Sequence, residues 1–223
     1  MALVELDGVT WADDETGGAV LRGARWSLEA GAGVMITLPA RGAWPPLADL
    51  LTGLRAPEEG AVRWRGRDWR GFPPAEADAA RARIGRVFRA AAWLSNLDLD
   101  ENMLLPTRYH RRRTRTEAAA AALACGREFF GWTELPSARP AWARAELLRE
   151  AQWVRALLAD PELLLIEAPE RAEDEIEPAA AERLAERART NGAAVVRLAA
   201  EFPPPAAGWT RWRLRDGALR ETT

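Results

Sequence analysis

The stretch Val34-Met35-Ile36-Thr37-Leu38-Pro39-Ala40-Arg41-Gly42-Ala43-Trp44-Pro45-Pro46-Leu47 reads as a buried strand, a short loop and a helix start. In that order, α/β proteins build a phosphate cradle. Backbone N–H groups of a glycine-rich loop wrap the anion, a lysine reaches it and a hydroxyl holds Mg²⁺. This chain keeps the layout and discards the chemistry. It has no lysine at all, every one of its 31 Lys+Arg residues being arginine, and two prolines open the helix. Proline has no N–H, so Pro45 and Pro46 remove two donors where an anion would need them, although proline in a first helical turn is structurally sound. The arginine excess itself is most simply a composition bias of the coding genome. Such a bias exchanges exposed lysines cheaply and does not account for the loss at a phosphate loop.

The elements that must position these residues alternate between β and α signals, the pattern of an α/β fold. Leu3 to Leu6 and Arg25 to Ala30 read as strands, and Gly31 to Gly33 turns into the apolar strand Val34 to Leu38. Leu47 to Leu54 reads as a helix closed by a turn at Pro57 to Gly60, Ala61 to Gly66 as a strand, and Ile84 to Phe88 as another. Residues 90–158 are helix-rich. Glu162 to Ile166 reads as a strand buried on both faces, since Leu163 to Ile166 form an unbroken apolar run. A charged helix from Pro178 to Thr190 ends on the Asn191-Gly192 cap, Ala193 to Leu198 is a strand, and Trp209 to Leu219 is a hairpin turning at Asp216-Gly217.

Composition limits the function classes. The chain has 223 residues, 48% hydrophobic and 29% charged, with a net charge of −2. That is an ordinary globular balance with no general nucleic-acid-binding character. The single cysteine, Cys125, leaves no internal disulfide and no cysteine-based zinc site, and fits a reducing compartment. No apolar run approaches a membrane span, and the N-terminus has no signal-peptide pattern.

In order and spacing the chain resembles the ATP-binding subunit of ABC transporters over essentially its full length. The resemblance rests on the opening Val4-Glu5-Leu6 strand with Val9-Thr10-Trp11, on Leu51-Thr52-Gly53-Leu54 with Pro57, Gly60 and Gly66, and on Ile84-Gly85-Arg86-Val87-Phe88. It continues through Glu101-Asn102-Met103-Leu104-Leu105-Pro106, the run Arg155 to Pro169, and Leu214-Arg215-Asp216-Gly217. It implies a P-loop NTPase-like (RecA-like) α/β core with an antiparallel β subdomain and an inserted helical subdomain. Residues 1–223 then form one ABC-type domain, about 1–89 and 159–223 being core plus β subdomain and about 90–158 the helical subdomain.

The same resemblance places the family's chemistry on residues that cannot perform it. In the nucleotide site, with Arg41 and Gly42, the Walker A lysine falls on Trp44 and its Ser/Thr pair on Pro45 and Pro46. The Q-loop glutamine falls on Arg89. The Walker B aspartate falls on Glu167, the adjacent water-orienting glutamate on Ala168 and the switch histidine on Ala200. Loss of the water-orienting group alone removes orders of magnitude of turnover. The adenine-stacking position falls near Asp13, with Trp11 as a neighbouring aromatic, while Asp174 matches the D-loop aspartate. The signature motif, whose helix-start N–H groups bind the γ-phosphate in the family's dimers, falls on Ala143, Arg144, Ala145, Glu146 and Leu147. No glycine remains there, and Glu146 brings negative charge.

The expectation is a catalytically degenerate subunit, a pseudo-ATPase with no metal and no cofactor. Its partner would be an integral membrane permease, and it would pair as a homodimer or as a heterodimer with another ABC subunit. It would be cytoplasmic and peripheral on the inner face of the membrane, with no nucleic acid. Ala90 to Leu94 either receives a permease helix or fills the subdomain core. Pro106-Thr107-Arg108-Tyr109-His110 resembles the lipid-trafficking (Mla/Mce) branch, and Arg111-Arg112-Arg113 reads as a solvated face or a contact to anionic lipid. Two alternatives stand beside this reading. One is a divergent active ATPase, with ATP and Mg²⁺ held through Glu167 and arginines such as Arg41. The other is a free-standing interaction protein, for which an exposed cluster of the eleven tryptophans would mark the partner surface.

Overall fold

In the computed structural model the residues described are 1–12, 19–39, 44–90, 92–169, 176–202 and 208–222. The chain divides into two compact units, Met1–Arg81 with Ala194–Thr223, and Ala82–Ala193. In chain order the elements are β1 (Val4–Ala12), β2 (Ala19–Leu28), β3 (Gly33–Thr37), α1 (Leu47–Leu51), β4 (Glu59–Trp64), β5 (Arg67–Asp68), α2 (Pro74–Arg81), β6 (Ile84–Val87) and α3 (Leu99–Tyr109). They continue with α4 (Arg115–Phe130), α5 (Ala145–Leu157), β7 (Leu163–Glu167), α6 (Pro178–Thr190), β8 (Ala194–Ala199), β9 (Trp209–Arg215) and β10 (Ala218–Thr222).

In the first unit an antiparallel sheet runs in the order β2-β1-β4-β5. Leu6 faces Trp26 on one side and Val62 on the other. β3 lies parallel between β8 and β9, with Ile36 opposite Leu198 and Trp212, and β10 closes the hairpin with β9. Gly33 to Ile36 are all buried. A strand covered on both faces has no polar side to show, so its sequence is a continuous apolar run. α1 ends at Leu51, short of the Leu54 that its pattern suggests. Gly53 takes φ +64° against the ring of Trp69, whose indole donates to the Leu51 carbonyl at 3.2 Å. α2 is an alanine-rich helix with only Ala77 and Ala80 buried, too weakly amphipathic for its pattern to announce it.

In the second unit β6 and β7 run parallel with Arg86 opposite Leu165. α5 approaches β6 so closely that a Cβ on Gly85 would run into the Ala156 carbonyl oxygen. α3, α4 and α5 share a core of Leu99, Met103, Ala118, Ala122, Ala151 and Val154. Capping boxes start two of them, Asp98 with Glu101 on α3 and Thr114 with Glu117 on α4, each satisfying two otherwise orphaned N–H groups. No helix of the described residues is long and apolar enough to cross a membrane.

Candidate functional site

The first unit carries the phosphate-loop positions. Arg41 and Gly42 lie outside the described residues, as do Asp13 and Asp174. Trp44 is half-buried, and its indole Nε1 donates to the Pro39 carbonyl at 2.9 Å. The side chain at the lysine position is thus turned back on the loop's own entrance. Pro45 is buried, and Pro46 stands at the N-cap of α1 without a side-chain cap hydrogen bond. The first amide after the prolines, that of Leu47, donates to the Pro45 carbonyl at 2.6 Å.

Trp11 does not provide the free aromatic face that a stacking role needs. It is buried in the sheet, and the Arg55 guanidinium covers its ring at 5.5 Å. Ala200 follows β8 in a bend and has no group able to hold or move a proton.

In the second unit the carboxyl ends of β6 and β7 hold a polar cluster of four side chains. Glu167 ends β7, and its Oε2 accepts from Arg86 Nε of β6 at 2.8 Å. The two side chains are only 13% and 15% exposed. The Arg86 guanidinium also lies over the Phe88 ring at 4.6 Å. Arg149 of α5, 3% exposed, donates to the Phe88 carbonyl and to the Glu167 carbonyl, both at 2.6 Å. Gln152, one turn on, accepts from the Phe88 N–H at 2.8 Å. Burying cations and carbonyls is tolerable only when each finds a partner, and here they satisfy one another.

Of these four residues the sequence points only to Glu167. The available signal for the others is the spacing of Arg149 and Gln152, three apart on the helix face that also buries Trp153 and Ala156. Ala168 follows β7 half-buried, without a titratable group beside Glu167.

Arg89 is half-buried in the bend after β6. The segment beyond it is fixed by buried Asn102, which accepts from the Leu94 N–H at 2.8 Å and donates to the Leu94 and Leu97 carbonyls. Trp93 packs against the helical core beneath the Arg155 guanidinium, 4.4 Å from its ring centre, while Leu94 stays exposed. One of the three arginines in the 111–113 run serves as a strut: Arg112 donates to the Ala82 carbonyl at 2.8 Å. Arg113 pairs with the exposed Asp160.

The signature positions do gather at a helix start. Ala143 follows a 3-10 turn at Pro140–Trp142, Arg144 is the N-cap of α5, and Ala145, Glu146 and Leu147 make its first turn. The N-cap offers no side-chain hydrogen bond, and exposed Glu146 places its charge against the positive end of the helix dipole. Of the eleven tryptophans, Trp142 alone is an exposed indole, at 82%, so no exposed cluster forms.

Comparison with solved structures identifies the fold. The chain superposes on the ATP-binding subunit of an ABC transporter with a TM-score of 0.81 and 19% identity, covering 99% of this chain and 90% of that one. It matches the ATP-binding cassette MJ0796, solved as a dimer in a post-hydrolysis state with ADP and Pi, with a TM-score of 0.81 and 20% identity over 98% and 97% of the two chains. A nucleotide-free ATP-binding cassette gives 0.73 and 17% over 99% and 91%. No protein-family model and no curated protein matches the sequence. The fold is therefore the α/β, P-loop NTPase-like fold of ATP-binding cassettes.

Proposed function

We propose that this chain is a homologue of ABC-transporter ATP-binding subunits that does not hydrolyse ATP and serves as a structural or regulatory partner of an integral membrane permease. The observation that carries this reading is the capture of Glu167 by Arg86. A carboxylate that holds Mg²⁺ must face the metal with its charge uncompensated. Here that charge is neutralised at 2.8 Å by an arginine on the neighbouring strand. The residues present do not fit Mg·ATP. The lysine position is an indole bonded to its own loop, and the hydroxyl positions are prolines. No carboxylate adjoins Glu167 to orient a water.

The permease partner is inferred from the fold together with exposed Leu94 beside Trp93, an apolar point on the segment after Arg89. A peripheral position on the inner face of the membrane follows from that partnership. The lipid-transport assignment rests on Pro106 to His110 alone, within which Arg108 and Tyr109 are exposed.

The test is calorimetric titration of Mg·ATP into the purified protein, with a lysine-containing cassette as positive control. The expected result is no heat and no thermal shift at millimolar nucleotide. Micromolar binding would overturn the reading and favour the divergent ATPase.

A further inference from the structure

A cleft of about 320 Å³ opens within the second unit, between α4, the end of α5 and the end of α6. We propose that it is a binding site for a small amphipathic carboxylate, with its apolar body on the cleft floor and its head on Arg113. The proposal is independent of whether the chain binds nucleotide.

The volume lies at the lower end of the range of small-ligand pockets, roughly 300–1,000 Å³. The floor is apolar and lined by short side chains. Ala121, Ala124 and Ala188 leave open the space that larger residues would fill, and Val154 and Leu158 close its base. Such a surface accepts hydrocarbon and offers no hydrogen bonds to polar groups.

The rim selects the head group. Two ion pairs stand on it, Arg113 with Asp160, and Arg187 with Glu128 at 2.5 Å. The first pair is lopsided: the Arg113 side chain is 28% exposed and that of Asp160 is 70%. The cation is held inward while its present partner stands in water. An ion pair with so exposed a member contributes little, so a ligand carboxylate can exchange with Asp160 at small loss. Arg113 would then be bound from the low-dielectric side, where a charge-assisted hydrogen bond is stronger. An ammonium ligand has no comparable place at this pair, because Asp160 is the member that stands in water.

The cleft contains its own reporter. Cys125 lines it and is the only cysteine in the chain. Burial pushes its thiol up to about 11. Since the thiolate is the reacting form, alkylation is slow and sensitive to any further covering.

The experiment follows alkylation of Cys125 by N-ethylmaleimide at mildly alkaline pH in the presence of octanoate or octanol, each below its aggregation limit. Octanoate is expected to slow the reaction at concentrations roughly tenfold lower than octanol, the discrimination of one hydrogen bond to a charged group. Arg113→Gln should abolish that difference. Ala121→Leu, which fills the floor, should abolish protection by both, with circular dichroism reporting that each variant is folded. Equal protection by octanol and octanoate in the parent protein would overturn the carboxylate assignment. No protection by either would overturn the site.

Discussion

Arg86 Nε and Glu167 Oε2 stand 2.8 Å apart on adjacent parallel strands although 81 residues separate them in sequence. The pair is nearly removed from water, so the Glu167 carboxylate depends on Arg86. Removing one partner of a buried pair leaves an uncompensated charge and typically destabilises by about 3–5 kcal/mol. Arg86→Met is therefore expected to lower stability by about 3 kcal/mol in urea denaturation. The double variant Arg86→Met/Glu167→Leu should lose much less than Arg86→Met alone. Were Glu167 held free for a metal, removing Arg86 would be close to neutral in the unliganded protein.

Rebuilding the phosphate loop should not restore turnover. Trp44→Lys with Pro45→Ser and Pro46→Thr supplies the lysine, the hydroxyl and two N–H donors, yet it leaves Glu167 paired and Ala168 without a carboxylate. Phosphate release measured with Mg·ATP is expected to stay at background. Turnover in this triple variant would show that the capture of Glu167 is not what silences the site.

Glu150 offers a pH signature. Its Oε2 accepts from the Trp132 indole at 2.6 Å, and partial burial raises its pKa above the ordinary carboxylate value. A raised acid binds its proton more tightly folded than unfolded. Its contribution is thus present at low pH and fades as pH climbs from the unfolded pKa, near 4.5, through the folded one. Glu150→Gln keeps an acceptor for the indole and removes that charge. The variant should be more stable than the parent at neutral pH, with the difference vanishing below about pH 4. Denaturation curves across that range check the sign.

Arg155 is a buried cation that lacks a carboxylate. It donates to the Ala92 carbonyl at 2.7 Å and stacks on Trp93, but its Nη2 has no hydrogen-bond partner. Desolvation pulls its pKa down to about 10, so it still carries its charge at neutral pH. Arg155→Met retains the packing and removes the unpaired charge. Replacement of buried charges by apolar groups of similar volume is often neutral or stabilising by about 1–4 kcal/mol. The melting temperature of the variant should therefore equal or exceed that of the parent, and a fall of several degrees would contradict this account.

Most of the fold is legible in the sequence because local signals suffice for it. α6 begins at the proline and ends at the Asn-Gly cap, and the β9–β10 hairpin turns at Asp216-Gly217, where both residues take positive φ. β7 announces itself by its apolar run. α2 escapes because its alanines and charges carry little periodicity, and β1 runs on to Ala12 through register shifts that break its alternation. The expected replacements at the nucleotide positions are read from type and spacing alone. The partners that those side chains find are not legible there. Arg86 meets Glu167 only through strand register, and Arg149 reaches the Phe88 and Glu167 carbonyls only because Gly85 lets α5 lie close on β6.

The Arg86–Glu167 pair also governs how the protein can change by mutation. Freeing Glu167 by removing Arg86 strands a negative charge in the interior. That first step leads downhill in stability, while replacing both residues together can be nearly level. With native proteins standing only about 5–15 kcal/mol above unfolding, that asymmetry acts as a ratchet. A population carrying this chain would find the road to a free strand-end carboxylate barred at its first substitution.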